Sequence, residues 1–364
     1  MTMPLAFQPA CQPLFSTGLP HTNVHAALSL LRDVVPNVLV CPRLPQRSPR
    51  EHLHLQSMHG FPGWVLGDSP TTMGAHVERS AMQPALNQLS LDYLQHHTGR
   101  AGLGAEDSAV LAEVLRHPPT PPVQLAIFQL AGPISLALQI TDEQRRPLIY
   151  DDELLDALVQ HLALRAAWLG ARLQPTAAQV MIWLHESFLG ALGTDFCPIS
   201  HETALDIIEQ VFLHAPTLRG LSITDLDGMA PDQQQRLWQV ALESQLDLIA
   251  CTSASAPVLA TLGPQLAAYL QAGGAIMWRI VPTESGEVVA TTDLRQLHLS
   301  FSQIVEQLAV AGVAPALVRA QAFIGASTSI AHLSPEHATQ VGQHCRTLAQ
   351  MLGSEPPVHA VHAV

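Results

Sequence analysis

An α/β barrel of eight strand and helix repeats is the fold class the sequence predicts, and three observations predict it. Eight short apolar segments recur along the 364 residues, helical patterns separate them, and polar residues follow each segment where a strand would end. The segments are rich in Val, Ile, Leu or Phe and almost continuously apolar, as strands buried on both faces are. Eight such alternations are the pattern of a (β/α)8 TIM barrel, with active-site residues at the carboxyl ends of its strands.

The first apolar segment spans 14–18, and a helical pattern follows at 24–33. After the second segment, 38–42, residues 51–104 read as a long insertion, with a loop at Phe61-Pro62-Gly63-Trp64 and a helix over 75–95. In a barrel such an insertion after strand two sits over the mouth. A helix at 105–116 and a stiff proline-rich connector, 117–122, lead into the third strand, 123–129. Strands four to eight are predicted at 179–184, 220–224, 246–252, 275–281 and 322–327. Helices are predicted at 151–172, 201–214, 231–243, 257–271, 294–311 and 335–351. Ser200 before His201-Glu202, Ser334 before Pro335-Glu336 and Ala230 before Pro231-Asp232 put caps, prolines and acids where helices should begin. Residues 1–352 are expected to form a single barrel domain and 353–364 a flexible C-terminal tail.

Composition narrows the chemistry. With 48% hydrophobic residues the chain can bury a large core. All 17 basic residues are arginines, so Schiff-base catalysis, pyridoxal phosphate attachment and a P-loop lysine are excluded. A net charge of −13 disfavours nucleic acid and anionic membrane as partners, and an anionic ligand must meet a local arginine cluster. There is no uninterrupted apolar span of membrane length and no basic residue before Arg32, so a cytoplasmic location is expected. Cys11, Cys41, Cys197, Cys251 and Cys345 lie far apart, which argues against a disulfide framework or a zinc knuckle.

The polar residues after the apolar segments are the candidates for function. They include Thr17 and His21, Arg43 and Arg47, Gln129, His185 and Glu186, Thr224 and Asp225, Thr252 and Ser253, Thr283 and Glu284, and residues 327–329. Guanidinium groups suit carboxylates or phosphates, so Arg43 and Arg47 are candidate anion ligands; pairing with the protein's own acids is the alternative. Glu186, above a hydrophobic barrel, is the leading catalytic candidate because burial raises a carboxyl pKa toward a useful range. Its alternative is to fix a neighbouring loop by accepting backbone hydrogen bonds. His21, after the Gly18 turn, is a second catalytic candidate, able to bind a carboxylate or shuttle a proton near neutral pH.

The order of Gly18-Leu19-Pro20-His21, Pro42-x-Leu44-Pro45-x-Arg47-Ser48 and Pro62-Gly63 resembles the N-terminal signature of proteins related to the C-terminal barrel of cobalamin-independent methionine synthase. Gln129-x-x-Gly132-Pro133, Tyr150-Asp151-Asp152-Glu153, Glu186, Ile280-Val281-Pro282-Thr283 and Leu333-Ser334-Pro335 follow in order, so the resemblance covers nearly the whole chain. The superfamily is shared with uroporphyrinogen decarboxylase, whose paired arginines the spacing of Arg43 and Arg47 resembles. The resemblance implies a methyltransferase-like enzyme of one-carbon metabolism acting on a carboxylate-bearing small molecule. A folate- or corrinoid-type methyl donor, and a corrinoid protein as partner, are implied with it. Gln129, Asp225, Thr283 and Ser327 join Arg43 and Arg47 as candidate substrate-binding residues.

The same resemblance implies a zinc site built from a His and Cys pair, a Glu and a Cys, and here the sequence departs from it. No His or Cys lies between His214 and Cys251 after strand five, and Ser327-Thr328-Ser329 stands where a Cys is expected after strand eight. Only Glu186 is retained, and hydroxyls are poor zinc ligands, so no family zinc site is predicted. A substitute from His185, Glu186, Asp225 and Asp227 is the alternative. Two other functions stay open: a non-catalytic ligand-binding or accessory barrel, and a cofactor-free decarboxylase of a tetrapyrrole-like polycarboxylate. Oligomeric state cannot be read from the sequence.

Overall fold

The computed structural model describes residues 4–15, 18–66, 75–80, 82–197, 199–224, 226 and 228–353. Thr17, Asp225, Asp227 and the tail from 354 onward, all named above, lie outside them. Eleven strands are described: β1 (Gln12–Pro13), β2 (Val38–Cys41), β3 (Trp64–Val65), β4 (His76–Val77), β5 (Val123–Ala131), β6 (Thr141–Asp142), β7 (Ala177–Glu186), β8 (Leu218–Ile223), β9 (Leu248–Thr252), β10 (Ala275–Val281) and β11 (Ala322–Ala326). Eight of them form one curled sheet in the order β1-β11-β10-β9-β8-β7-β5-β2, every pair parallel. From β2 onward each strand of this sheet pairs with the next one in chain order, the arrangement that repeated right-handed crossovers generate, and the last, β11, pairs with β1. In the segments that follow the edge strands β1 and β2, Leu19 N–H donates to the Arg43 carbonyl at 2.8 Å.

The first strand is earlier and shorter than the sequence predicts. The register covers Gln12 and Pro13, and Leu14 N–H still donates to the Ile324 carbonyl of β11 at 2.8 Å before Leu14 and Phe15 line a cavity. The other seven agree with the apolar segments to within two residues at either end. In the crossovers, α1 (Val24–Val34) begins at Asn23, whose side chain accepts from Ala26 N–H. Between β2 and β5 lie α2 (Leu53–Met58), α3 (Gln83–Leu94) and α4 (Ala109–Arg116). The helix predicted over 75–95 is thus partly strand β4, which pairs with β3 and β6 in a separate small sheet.

After β5 comes α5 (Pro133–Gln139), which the apolar reading passed over, and then α6 (Asp152–Leu173), capped by Asp151 accepting from Leu154 N–H. Helices α7 (His201–Val211) and α8 (Pro231–Glu243) start where the caps and prolines predicted. The helix predicted over 257–271 is two, α9 (Ala256–Thr261) and α10 (Gly263–Gln271), because Pro264 and the close approach of Ala311 to Gly263 interrupt it. Helices α11 (Gly286–Ala290), α12 (Leu294–Val310), α13 (Pro315–Ala320) and α14 (Pro335–Gly353) complete the chain. Among the described residues no helix is long and apolar enough to cross a membrane.

Glycines at two strand positions make room for large side chains between the strands. A Cβ on Gly220 would lie 3.1 Å from Met181 Sδ and against Trp183, and one on Gly325 would lie 1.8 Å from Met277 Cε. Trp183 and Met277 thereby fill the interior below the carboxyl ends, and the polar residues one or two positions onward stand above that apolar layer.

Candidate functional site

A cavity of about 420 Å3 opens at the carboxyl ends of the parallel strands. Arg43 and Gln129 stand on one side of it, His52, Leu53 and His54 come from the start of α2, and His185 ends β7. Ser222, Thr252 and Arg279 come from β8, β9 and β10, and Ser327 and Thr328 follow β11. No Asp or Glu is among the described residues lining it. In a chain of net charge −13, the cavity carries two arginines and three histidines.

Arg43 decides the electrostatics. Its guanidinium NH2 donates to Gln129 Oε1 at 2.6 Å, a neutral partner, and among the described residues no carboxylate lies within ion-pair distance. Burial lowers its pKa to about 10, which the charge of Glu51 partly opposes. Burial also lowers His54 to about 4 and His185 to about 3, with Arg43 adding to both and Arg279 to His185. Both imidazoles are therefore neutral at physiological pH. His185 Nδ1 is buried without a hydrogen-bond partner.

Of the residues singled out in the sequence, the cavity brings together Arg43, Gln129, His185, Thr224, Thr252 and Ser327 with the two residues after it. Glu186 does not line it. The carboxylate is fully buried and accepts from Ile134 N–H at 3.0 Å, Ser135 N–H at 2.7 Å and Ser135 Oγ at 2.5 Å, holding the first turn of α5. It needs Gly132 beside it, since a Cβ there would lie 2.1 Å from the carboxylate carbon. Ser135 Oγ in turn accepts from Ser187 and Phe188 N–H, so the network shapes the segment that carries Ser187 into the cavity wall. Burial is the largest influence on Glu186 and raises its pKa to about 7 against those hydrogen bonds.

His21 and Arg47 also lie off the cavity. His21 is buried with Nδ1 unpartnered, and burial lowers its pKa while Glu336 opposes the shift. Arg47 pairs at 3.0 Å with buried Glu51, which also accepts from Leu44 N–H and Ala109 N–H, so this arginine meets the protein's own acid. Thr283 is buried beneath the cavity wall, bonding Ser327 Oγ at 3.0 Å and Thr328 Oγ1 at 2.9 Å. It supports the two hydroxyls and does not face the cavity.

Sequence reasoning missed Arg279, His52 and His54. Arg279 had a signal: it is the one charged residue in the apolar run Ala275–Val281, and a buried strand carries such a residue only where it meets a polar space. His52 and His54 had none, since they depend on how the segment after β2 folds back.

The residues present do not fit the zinc that the resemblance implies. All five cysteines are buried and none lines the cavity. Glu186 is committed to α5, and hydroxyls occupy the end of β11. Among the described residues no group of three or more His, Cys, Asp or Glu could hold a metal ion.

No protein-family model matches the sequence, and a search of curated proteins gives no match. Among solved structures, a B12-independent methionine synthase from Shewanella sp. W3-18-1 in complex with selenomethionine is similar at a TM-score of 0.48 and 11% identity, over 66% of each chain. This chain thus spans just under two thirds of that protein. A methyltransferase from Methanosarcina mazei is similar at a TM-score of 0.42 and 10% identity, over 93% of this chain and 96% of that one.

Proposed function

We propose that the protein binds a carboxylate-bearing small molecule in the cavity at the carboxyl ends of its strands, with Arg43 as the anion anchor. One observation carries this reading: a mostly buried guanidinium whose partner is the neutral amide of Gln129, in a cavity with no acid among its described lining residues. A charge held largely out of water and only partly offset, here by Glu51, is costly, and an anionic ligand is what repays it. Gln129 fixes the rotation of the guanidinium, leaving its remaining N–H groups for a bidentate contact. The volume, about 420 Å3, is in the range of sites for small organic ligands, which favours a small acid over a tetrapyrrole polycarboxylate.

Methyl transfer to or from that acid, with a folate- or corrinoid-type donor and a corrinoid protein as its carrier, is the finer part of the proposal and rests on the sequence resemblance. The accessory-barrel reading has its own support. The carboxylate expected to do acid/base work, Glu186, is spent on α5, and His54 and His185, which face the cavity, are neutral. The proposal accordingly assigns no chemical step to Glu186 or His21. Calorimetric titration of short carboxylates into the wild type and Arg43→Met tests the binding. Affinity that depends on Arg43 is expected, and acids that bind both proteins equally overturn it.

A further inference from the structure

One hydroxyl in the cavity has incomplete hydrogen bonding of a defined kind. Ser222 is only 2% exposed yet lines the cavity. Its side-chain partner is Trp183 Nε1, at 3.1 Å. An indole N–H can only donate, so Ser222 Oγ accepts there and its own hydrogen is left without an acceptor among the described residues. Trp183 is itself buried against Gly220, so the serine oxygen is held from beneath by a side chain that cannot move aside. A buried donor left unpaired costs free energy, and buried hydroxyls are paired as a rule. On the adjoining strand β9, two residues beyond Ala250, the register partner of Ser222, Thr252 presents a second hydroxyl to the cavity, and its side chain bonds to no described protein group. In sheet order these residues stand three and four strands away from β2, whose end carries Arg43.

We infer that Ser222 and Thr252 form a second subsite across the cavity from Arg43, and that the ligand is a carboxylate with an oxygen acceptor at its far end, a hydroxy or oxo acid. The inference rests on the anion-binding reading above and adds the class of acid. Arg43 takes the charge, and the deep hydroxyls take an oxygen that a plain fatty acid of the same length lacks. A site built to bond an oxygen penalises a ligand without one, because its buried polar groups are then left unpaired.

The test is calorimetric titration of butyrate, valerate and hexanoate, each against its ω-hydroxy counterpart, into the wild type, Ser222→Ala, Thr252→Val and Arg43→Met. At least one ω-hydroxy acid is expected to bind the wild type about tenfold more tightly than its plain partner. That ratio should fall toward parity in both hydroxyl variants. Trp183 emission supplies an independent readout, since an acceptor on Ser222 polarises the bond to the indole; ω-hydroxy acids should shift it and plain acids should not. Should Ser222→Ala fail to fold because Trp183 loses its acceptor, Thr252→Val carries the ratio. Equal binding of plain and hydroxy acids by the wild type, both weakened in Arg43→Met, overturns the subsite and leaves the anion site standing. A preference that survives undiminished in both hydroxyl variants also overturns it. Absence of binding by any acid, or binding indifferent to Arg43→Met, overturns the anion reading itself.

Discussion

Replacing Arg43 with methionine should stabilise the unliganded protein while removing its affinity for acids. Burial pulls the guanidinium down to a pKa of about 10, and Glu51 offsets only part of that. Holding this charge in the folded state rather than the unfolded chain costs roughly 3 kcal/mol, at about 1.36 kcal/mol per pKa unit. For a base whose folded pKa is lowered, the cost is fully present at every pH below the folded value and fades only as pH climbs past about 10. Methionine fills the volume of the arginine stem without the charge. It also leaves Gln129 Oε1 without its donor, a loss of about 1 kcal/mol. The net gain is about 2 kcal/mol, which for a chain of 364 residues raises the melting temperature by about 3 °C. Differential scanning calorimetry without ligand measures the rise, and titration with butyrate measures the lost affinity. A melting temperature that falls by several degrees would show that Arg43 is structurally compensated, and the reasoning from an unpaired charge would be refuted.

Acid binding should be flat between pH 6 and 8, because His54 at about 4 and His185 at about 3 are neutral throughout that window, and burial with the charge of Arg43 lowers His52 as well. A tenfold loss of affinity across it would mean that a histidinium holds the ligand. Glu186→Gln should remove a pH-dependent loss of stability. A buried carboxyl raised to about 7 lowers the stability of the fold as pH rises from the usual value near 4.5 through 7, by roughly 3 kcal/mol in all. Urea unfolding at pH 5 and pH 8 should show the wild type losing that amount relative to the variant, and a constant difference contradicts the assignment. Gly132→Ala should destabilise by more than about 3 kcal/mol, since the new methyl would lie 2.1 Å from the Glu186 carboxylate carbon; near-wild-type unfolding would show that the contact relaxes freely. Metal analysis of the purified protein should find no stoichiometric zinc, and one zinc per chain would reverse the reading of the donor set.

Much of the architecture was legible because buried parallel strands are written as unbroken apolar runs. Ala275–Val281 is an example whose limits the sequence predicts to the residue. Legibility failed where backbone pairing and apolarity part company. The first strand runs earlier than its apolar segment, over Gln12 and Pro13, and α5 was hidden because its first turn is held by Glu186, some fifty residues away in the chain. The candidate site was half legible. Arg43 and Ser327 follow their strands, and Gln129 stands near the carboxyl end of β5, so all three reach the cavity. Arg47 and Glu186 satisfy the same positional rule, but each finds a nearer partner, Glu51 for the one and the N–H groups of Ile134 and Ser135 for the other. Position after a strand places a residue near the cavity; local hydrogen bonds decide whether it is free to serve it.

The most direct test of an anion site at Arg43 is a crystal structure of the protein grown with 4-hydroxybutyrate. The account predicts the carboxylate within hydrogen-bonding distance of the Arg43 guanidinium, with Gln129 still accepting from it. A carboxylate bound elsewhere, or Arg43 ion-paired with an acid of the protein itself, would contradict it.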